Sequence, residues 1–396
     1  MNSACLSVDF ADVTSVTTEC AQDTASFRGL EKEWQQLHGR CPHATPFNSW
    51  EWLFSWWQAY GDARELRLLT WRLGGNLVGV APLCIAGEKT DLGTSCRVAR
   101  LVGDGSFDSD YLGFLILPGA YAVVMERFGQ WLSRNKEWDV MVLSELTDLS
   151  PVPDTIRDHA QRLRLQWRLD YRRSGALDLP PSLEDYLRER QPRFRTKLRS
   201  LLRQLDEGDL TFESRCEPRE LRRRLRSLFA LHQRRWQVSG EPGVFGAASK
   251  RRFYAFFVPR FARRGWLRLY SLRRDKTYLA HQLCFGGGGT TFLLQEGFDV
   301  SNPATSYGHM LRAAVIRELI QAGESRYDFL GGFSRHKADW GAQEGRSIHV
   351  TVARRRWRGW LYFNLPSWRE RFVAGAKRIL PEPVLDRLRR RAATVS

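Results

Sequence analysis

The residues best suited to chemistry lie in two stretches of the second half of the chain. The first is TTFLLQEGFDVSNPATSYGHMLRAAVIRELIQAG, residues 290–323. A strand-like run ends at Glu296, a polar loop follows, and Ser306-Tyr307-Gly308-His309 opens a helix expected over Tyr307–Ala322. A helix start offers unpaired N–H groups and a partial positive charge. Gly308 would let a ligand approach the backbone closely. Ser306, Tyr307, Gly308 and His309 are therefore a candidate pyrophosphate cradle. An ordinary helix capped by Ser306 is the alternative. The second stretch is YDFLGGFSRHKADWG, residues 327–341. Asp328 interrupts an apolar strand, where a lone buried charge is costly. Gly331-Gly332 and then Arg335, His336 and Lys337 bring several charges close to it. Either Asp328 pairs structurally with Arg335 or Lys337, or the cluster is part of a site.

The elements around these stretches read as an α/β alternation. Phe27, Leu30, Trp34 and Leu37 have helical spacing, and Trp50–Tyr60 is a second helix with Asn48 or Ser49 as its cap. Runs on either side of Gly74-Gly75-Asn76 form a hairpin. Strands follow at Arg97–Val102 and Tyr111–Leu117, a helix at Ala120–Arg134, a strand at Asp139–Leu143, a helix at Asp154–Leu163 and a strand at Trp167–Leu179. Pro180-Pro181-Ser182 opens a helical stretch to about Leu205, broken near Pro192. A strand at Asp209–Ser214, helices at Pro218–Val238 and Ser249–Arg263, a second hairpin over Trp266–Phe285 and strands at Arg326–Leu330 and Ser347–Ala353 complete the pattern. Gly286–Gly289 sits between two antiparallel strands with no helix after it, so it reads as a hairpin turn rather than a phosphate loop. The two halves share an element order, which suggests a duplicated α/β unit. His281 and the tryptophans of the 50–60 helix read as core.

Composition narrows the function classes. The chain has 396 residues, enough for two or three domains, and 43% are apolar. The longest smooth apolar run, Gly113–Met125, contains Pro118 and falls short of the ~20 residues of a bilayer span. The first residues do not read as a secretory signal. Seven scattered cysteines show no CxxC spacing, which fits reduced thiols rather than a disulfide framework or zinc ribbon. The eight histidines fall in no ligand spacing, and no metal is expected. GxSxG, HExxH, Walker and GxGxxG motifs are absent. Residues 1–150 hold 12 basic and 19 acidic side chains, net −7; residues 151–396 hold 49 and 25, net +24. The second half is thus expected to meet something anionic.

Taken in order, several segments resemble the CelD-type, FemAB-like branch of the GNAT acetyltransferase superfamily, associated with cellulose and exopolysaccharide synthesis. They are Pro46-Phe47-Asn48-Ser49-Trp50-Glu51-Trp52-Leu53 with Trp56-Trp57, Leu77–Leu83, Asp110-Tyr111, the basic helix Arg193–Arg203, Leu231–Trp236, Ser306-Tyr307-Gly308, and Tyr327–Gly331 with Lys337 and Trp340. The resemblance spans roughly residues 27–355. It implies an α/β (α+β) chain of two tandem GNAT-like domains, each a mixed, largely antiparallel sheet flanked by helices. The expected divisions are a polar lead-in (1–26), a first domain (27–180), a second, acyltransferase domain (181–355) and a basic amphipathic tail (356–396).

The resemblance further implies an acyl-CoA donor, acetyl-CoA or longer, with its pyrophosphate at Ser306–His309 and no metal. The usual Q/R-x-x-G-x-G/A loop is replaced here by Ala304-Thr305-Ser306-Tyr307-Gly308-His309. An amine or hydroxyl of a small-molecule or glycan acceptor would attack the thioester. Glu296 and Asp328 are the expected bases, and Lys337 or Arg335 would steady an anionic acceptor or the cofactor. Asp110, Tyr111, Arg335 and Trp340 are expected to bind the acceptor. The tail could lie on an anionic membrane surface, giving a cytoplasmic protein peripheral to the inner membrane, or cap the second domain. Two rivals remain: an aminoacyl-tRNA-dependent transferase, and an inactive scaffold of a polysaccharide-synthesis complex. No DNA partner is expected.

Overall fold

The computed structural model describes residues 16–365, apart from residues 91, 239, 241–242 and 302–305. In chain order its strands and longer helices are β1 (Thr17–Ala21), α1 (Thr24–Gly29), α2 (Glu31–Arg40), α3 (Trp50–Tyr60), β2 (Glu65–Leu73), β3 (Asn76–Lys89), β4 (Ser95–Leu101), β5 (Leu115–Ile116), α4 (Tyr121–Arg134), β6 (Val140–Thr147), α5 (Val152–Arg162) and β7 (Gln166–Asp178). The second half continues with α6 (Leu183–Arg188), α7 (Pro192–Glu207), β8 (Leu210–Glu213), α8 (Leu221–Val238), α9 (Ala248–Arg263), β9 (Leu267–Arg274), β10 (Thr277–Gly287), β11 (Thr290–Phe298), α10 (Tyr307–Gln321), β12 (Arg326–Gly331), α11 (Arg335–Asp339) and β13 (Gln343–Ala353).

These strands form one mixed sheet, in the order β1-β2-β3-β4-β6-β13-β7-β12-β11-β10-β9-β8, with β5 paired to β3. The order is symmetric about its centre. In each half a short strand, helices and an antiparallel meander lead to one parallel pair, β4 with β6 or β11 with β12. The last strand of each half then crosses over. β7 pairs with β12 and β13, while β13 pairs with β6 and β7. The division expected near residue 180 follows the chain but not the sheet, because β7 lies wholly among second-half strands.

The local reasons are ordinary. Ser49 caps α3 by accepting from the Trp52 N–H, and Ser182 caps α6 by accepting from Asp185. The Gly287–Thr290 turn uses Gly288 and Gly289 at positive φ, as a two-residue hairpin requires. The four tryptophans of α3 are buried, with Trp52 packed on Phe253 and Phe257 of α9. His281 is fully buried and hydrogen-bonded to Ser271 at 2.8 Å. A second core lies under α6, α7 and α10, around Tyr186, Leu202, Leu311 and Tyr327.

Three expectations need correction. The lead-in is not featureless, because Thr17–Ala21 forms β1 on the sheet edge, paired with Leu68–Arg72 of β2. Its alternation is too short and too polar to read as a strand alone. The run Tyr111–Leu117 supplies only the two residues of β5; Tyr111 has φ +47 and leaves the extended region. The tail begins as a helix at residue 357, and Tyr362 binds Arg100 and Glu88 of the first half rather than the second. The rest of the amphipathic segment lies outside the described residues.

Removing β7 from the second half would expose the facing ladders of β12 and β13. A fragment of residues 181–396 expressed alone is therefore expected to aggregate. The intact chain should unfold in a single denaturant transition, read by circular dichroism and tryptophan emission together.

Candidate functional site at the junction of the halves

The parallel pair β11·β12 is short. Thr290, Thr291 and Phe292 pair with Arg326, Tyr327 and Asp328, and the strands then part. Just beyond, β11 carries a bulge: Leu283 faces Gln295 and Cys284 faces Leu293, so Leu294 is the extra residue. Near the end of β12, Leu330 has a φ of +61, a left-handed conformation unusual for a leucine. The mouth of this notch is closed from the first half by the loop of residues 102–114 and by Glu145 on β6. Together they enclose a cavity of about 290 Å³, lined by Asp108, Asp110, Glu145, Arg172, Leu294 and Leu330 among others.

Asp328, Tyr111 and Lys337 build the wall. Asp328 accepts from the Tyr111 hydroxyl at 2.8 Å and from the Leu330 N–H at 2.7 Å. Burial raises its pKa, against the pull of those two donors. Tyr111 is pinned in turn: its carbonyl accepts from Thr45 at 3.1 Å and its ring packs near Phe47 and Phe292. Burial, then the Asp328 carboxylate, holds its hydroxyl protonated far above the usual range. Lys337 reaches back from α11 and donates to the carbonyls of Phe329, Leu330 and Gly331 at 2.8, 3.0 and 2.8 Å. Burial lowers its pKa to about 8, opposed by Asp110 and Asp328. Of the two alternatives the sequence offered, the structural ion pair of Asp328 with Arg335 or Lys337 is not formed; hydroxyl and backbone donors satisfy Asp328 instead.

Asp110 lies on the cavity side of the same wall. Burial, then repulsion from Glu145 and Asp328, pushes its carboxyl up to about 8. Gly331 must be bare here, since a Cβ would sit 2.9 Å from an Asp110 oxygen. Glu145 stands at a bulge in β6 with φ +57. It accepts from Arg172 at 3.1 Å and Ser347 at 2.8 Å, and His349 lies 3.3 Å away. Burial opposes its charge, but these three partners hold its carboxyl below the usual range.

The loop 102–114 is fixed by a buried pair that the sequence reading missed. Lys250 of α9 lies 2.6 Å from Asp108, and Tyr254 donates to the other Asp108 oxygen at 2.8 Å. Glu145, Asp108 and Lys250 carried no motif. The one available signal was the density of acids and glycines in GDGSFDSDYLG, residues 103–113.

Other expected residues sit elsewhere. Glu296 does not line the cavity. Its carboxylate accepts from Arg312 at 2.8 Å and from Gln282 at 2.7 Å, as the counter-charge of a buried arginine. Arg312 also meets His336 and lies over the rings of Phe329 and Trp340. Trp340, expected at the acceptor, is fully buried against Phe194 and Arg312, so it is core. Arg335 is exposed on α11.

At the start of α10, Ser306 makes no side-chain capping bond, and Tyr307 is buried. Gly308 faces the Phe298 ring, which a Cβ would meet at 2.7 Å, so packing rather than ligand approach requires this glycine. His309 is half-buried beside His336 and Trp340. Burial, then Lys197, His336 and Arg312, push its pKa down to about 4. The helix start thus faces a basic neighbourhood. Among the described residues no group of His, Cys, Asp and Glu is placed to hold a metal ion, and no helix is long and apolar enough to cross a membrane.

Residues 192–338 match the family model described as an acetyltransferase (GNAT) domain. Among solved structures, FemX is similar over 81% of this chain and 95% of its own, with 11% identity and a TM-score of 0.55. A conserved protein of unknown function from Bacteroides thetaiotaomicron is similar over 85% and 100%, with 11% identity and a TM-score of 0.51. L-PGS from Bacillus licheniformis is similar over 86% and 96%, with 10% identity and a TM-score of 0.50. At these identities the likeness is one of fold. No curated protein matches.

Breaking the buried Lys250–Asp108 pair leaves an uncompensated charge. Lys250→Met is expected to cost about 3–5 kcal/mol. Adding Asp108→Asn should restore part of that loss, read from urea midpoints at constant m-value.

Proposed function

We propose that the chain is an acyltransferase that takes an acyl group from acyl-CoA and delivers it to an amine or hydroxyl in the cavity between the halves. The observation that carries this reading is the parting of β11 and β12 directly beside a cavity holding an acid of raised pKa. A GNAT domain match over the same strands supports an acyl-CoA donor. In this reading the pantetheine arm lies in the notch and its pyrophosphate rests at Ser306–His309, beside Lys197, His309 and His336. In this reading the thioester carbonyl sits at the bulge at Leu294, and a backbone N–H of the interrupted ladder stabilises the developing oxyanion.

Asp110 is assigned the general base. The acceptor nitrogen or oxygen attacks the carbonyl carbon and gives its proton to Asp110; the C–S bond breaks and the CoA thiolate leaves to be protonated by solvent. Asp328 and Tyr111 position Asp110, and Lys337 fixes the β12 terminus. Glu296, tied to Arg312, is left a structural role. A polysaccharide or cell-envelope acceptor fits the resemblance noted in the sequence. Exposed Trp357 and Trp360 beside Arg355, Arg356 and Arg358 favour a peripheral place at an anionic membrane. The +24 charge of residues 151–396 favours a second reading, in which aminoacyl-tRNA is the donor.

A base with a pKa of about 8 must lose its proton to act. The kcat/KM for acyl transfer is expected to rise tenfold per pH unit below about 8 and to level off above it. Asp110→Asn should lower kcat by about 10²–10⁴ and abolish that limb, whereas Glu296→Gln should reduce stability more than turnover. An unchanged profile in Asp110→Asn would remove the base assignment. Binding of tRNA that weakens steeply with salt, with no binding of acyl-CoA, would favour the second reading. Trp357→Ala with Trp360→Ala should reduce flotation with anionic vesicles; equal flotation of variant and parent would remove the membrane element.

A further inference from the structure

Among the described residues, six non-glycine residues adopt positive φ. Arg164 and Asp275 lie at turns, where such angles are common. The other four surround one cavity: Phe107 (+58), Glu145 (+57) and Leu330 (+61) line it, and Tyr111 (+47) backs its wall. A bulky side chain in this region is strained, and strain persists only where neighbours over-determine it.

Phe107 is the extreme case. It is 90% exposed, although both of its neighbours are buried. One lysine secures both sides: Lys250 donates to the Ser106 carbonyl at 2.9 Å and pairs with Asp108 at 2.6 Å. The peptide is thus clamped before and after residue 107, and the ring is held out at the cavity rim. A fully exposed aromatic ring on a strained, clamped backbone contributes nothing to the core. Arg172, Arg173, Asp110 and Glu145 line the same cavity.

We infer that Phe107 is the specificity-determining contact for the acceptor, stacking against the flat apolar face of a six-membered ring whose amine or hydroxyl points down to Asp110. The cavity volume, about 290 Å³, suits one such ring or the end of a chain of them. This inference rests on the acyltransfer reading for the direction of the nucleophile, but not for the stacking itself. A sugar ring and an aromatic ring share the required flat face, and the test separates them.

The experiment measures dissociation constants of glucosamine, benzylamine and acyclic ethanolamine, by calorimetry, for the full chain and for Phe107→Asn and Phe107→Trp. Asn tolerates positive φ, so Phe107→Asn is expected to melt no lower than the parent. The parent should bind one or both ring amines at least tenfold tighter than ethanolamine. Phe107→Asn should reduce that ratio to within threefold, and Phe107→Trp should keep it. Preference for glucosamine would identify a sugar, and preference for benzylamine an aromatic acceptor. A ring preference that survives in Phe107→Asn, or its absence from the parent, would overturn the inference. Acyl-CoA titration of the same samples keeps the two claims apart: donor binding without ring preference sinks only the stacking, and ring preference without donor binding sinks only the acyltransfer reading.

Discussion

The pairing of β7 with β13 is the constraint on which the rest of the structure depends. Eleven residue pairs, from Gln343 opposite Ala176 to Ala353 opposite Gln166, join the final strands of the two halves back to back. Each strand then completes the other half's sheet. The exchange brings the diverging end of β12 against β7 and the bulge of β6 against β13. The cavity forms where these irregularities meet, so neither half contains it alone.

Charge follows from that geometry. Asp108, Asp110, Glu145 and Asp328 converge from three chain segments, and each is satisfied differently. Asp108 takes a lysine, Glu145 an arginine, a serine and a histidine, and Asp328 a tyrosine hydroxyl and a backbone N–H. Asp110 has only the Gly331 backbone and the distant help of Lys337, so it keeps its proton to about pH 8, where it can still exchange it near neutral pH. A carboxyl surrounded by other carboxylates, partly desolvated and facing a cavity, is the physical form of a base tuned toward working pH.

Much of the fold was legible in the sequence because it rests on local periodicity. The α3 tryptophans, the two hairpins, the Gly286–Gly289 turn and the α10 and β12 pair all appear where spacing places them. The GNAT likeness also reached Asp110-Tyr111 and Lys337, which meet Asp328 in space. What could not be read depends on contacts distant in sequence. Trp340 looked like a ligand contact because burial is invisible in a polar loop. Gly308 looked like a phosphate-approach glycine because its neighbour, Phe298, lies ten residues earlier on a different element, β11. Glu296 looked like a base because its partner Arg312 projects from another element. Lys250 and Asp108 are separated by 142 positions, and no pattern joins them.

The central claim is that the second half's notch takes the acyl donor while the junction cavity supplies the chemistry. Calorimetric titration of acetyl-CoA into the full chain, Lys197→Glu and Asp110→Asn tests it directly. The parent is expected to bind, Asp110→Asn to bind with the same Kd, and Lys197→Glu, an exposed position whose reversal leaves the core intact, to bind at least tenfold more weakly. No binding by the parent, or loss of binding in Asp110→Asn alone, would contradict it.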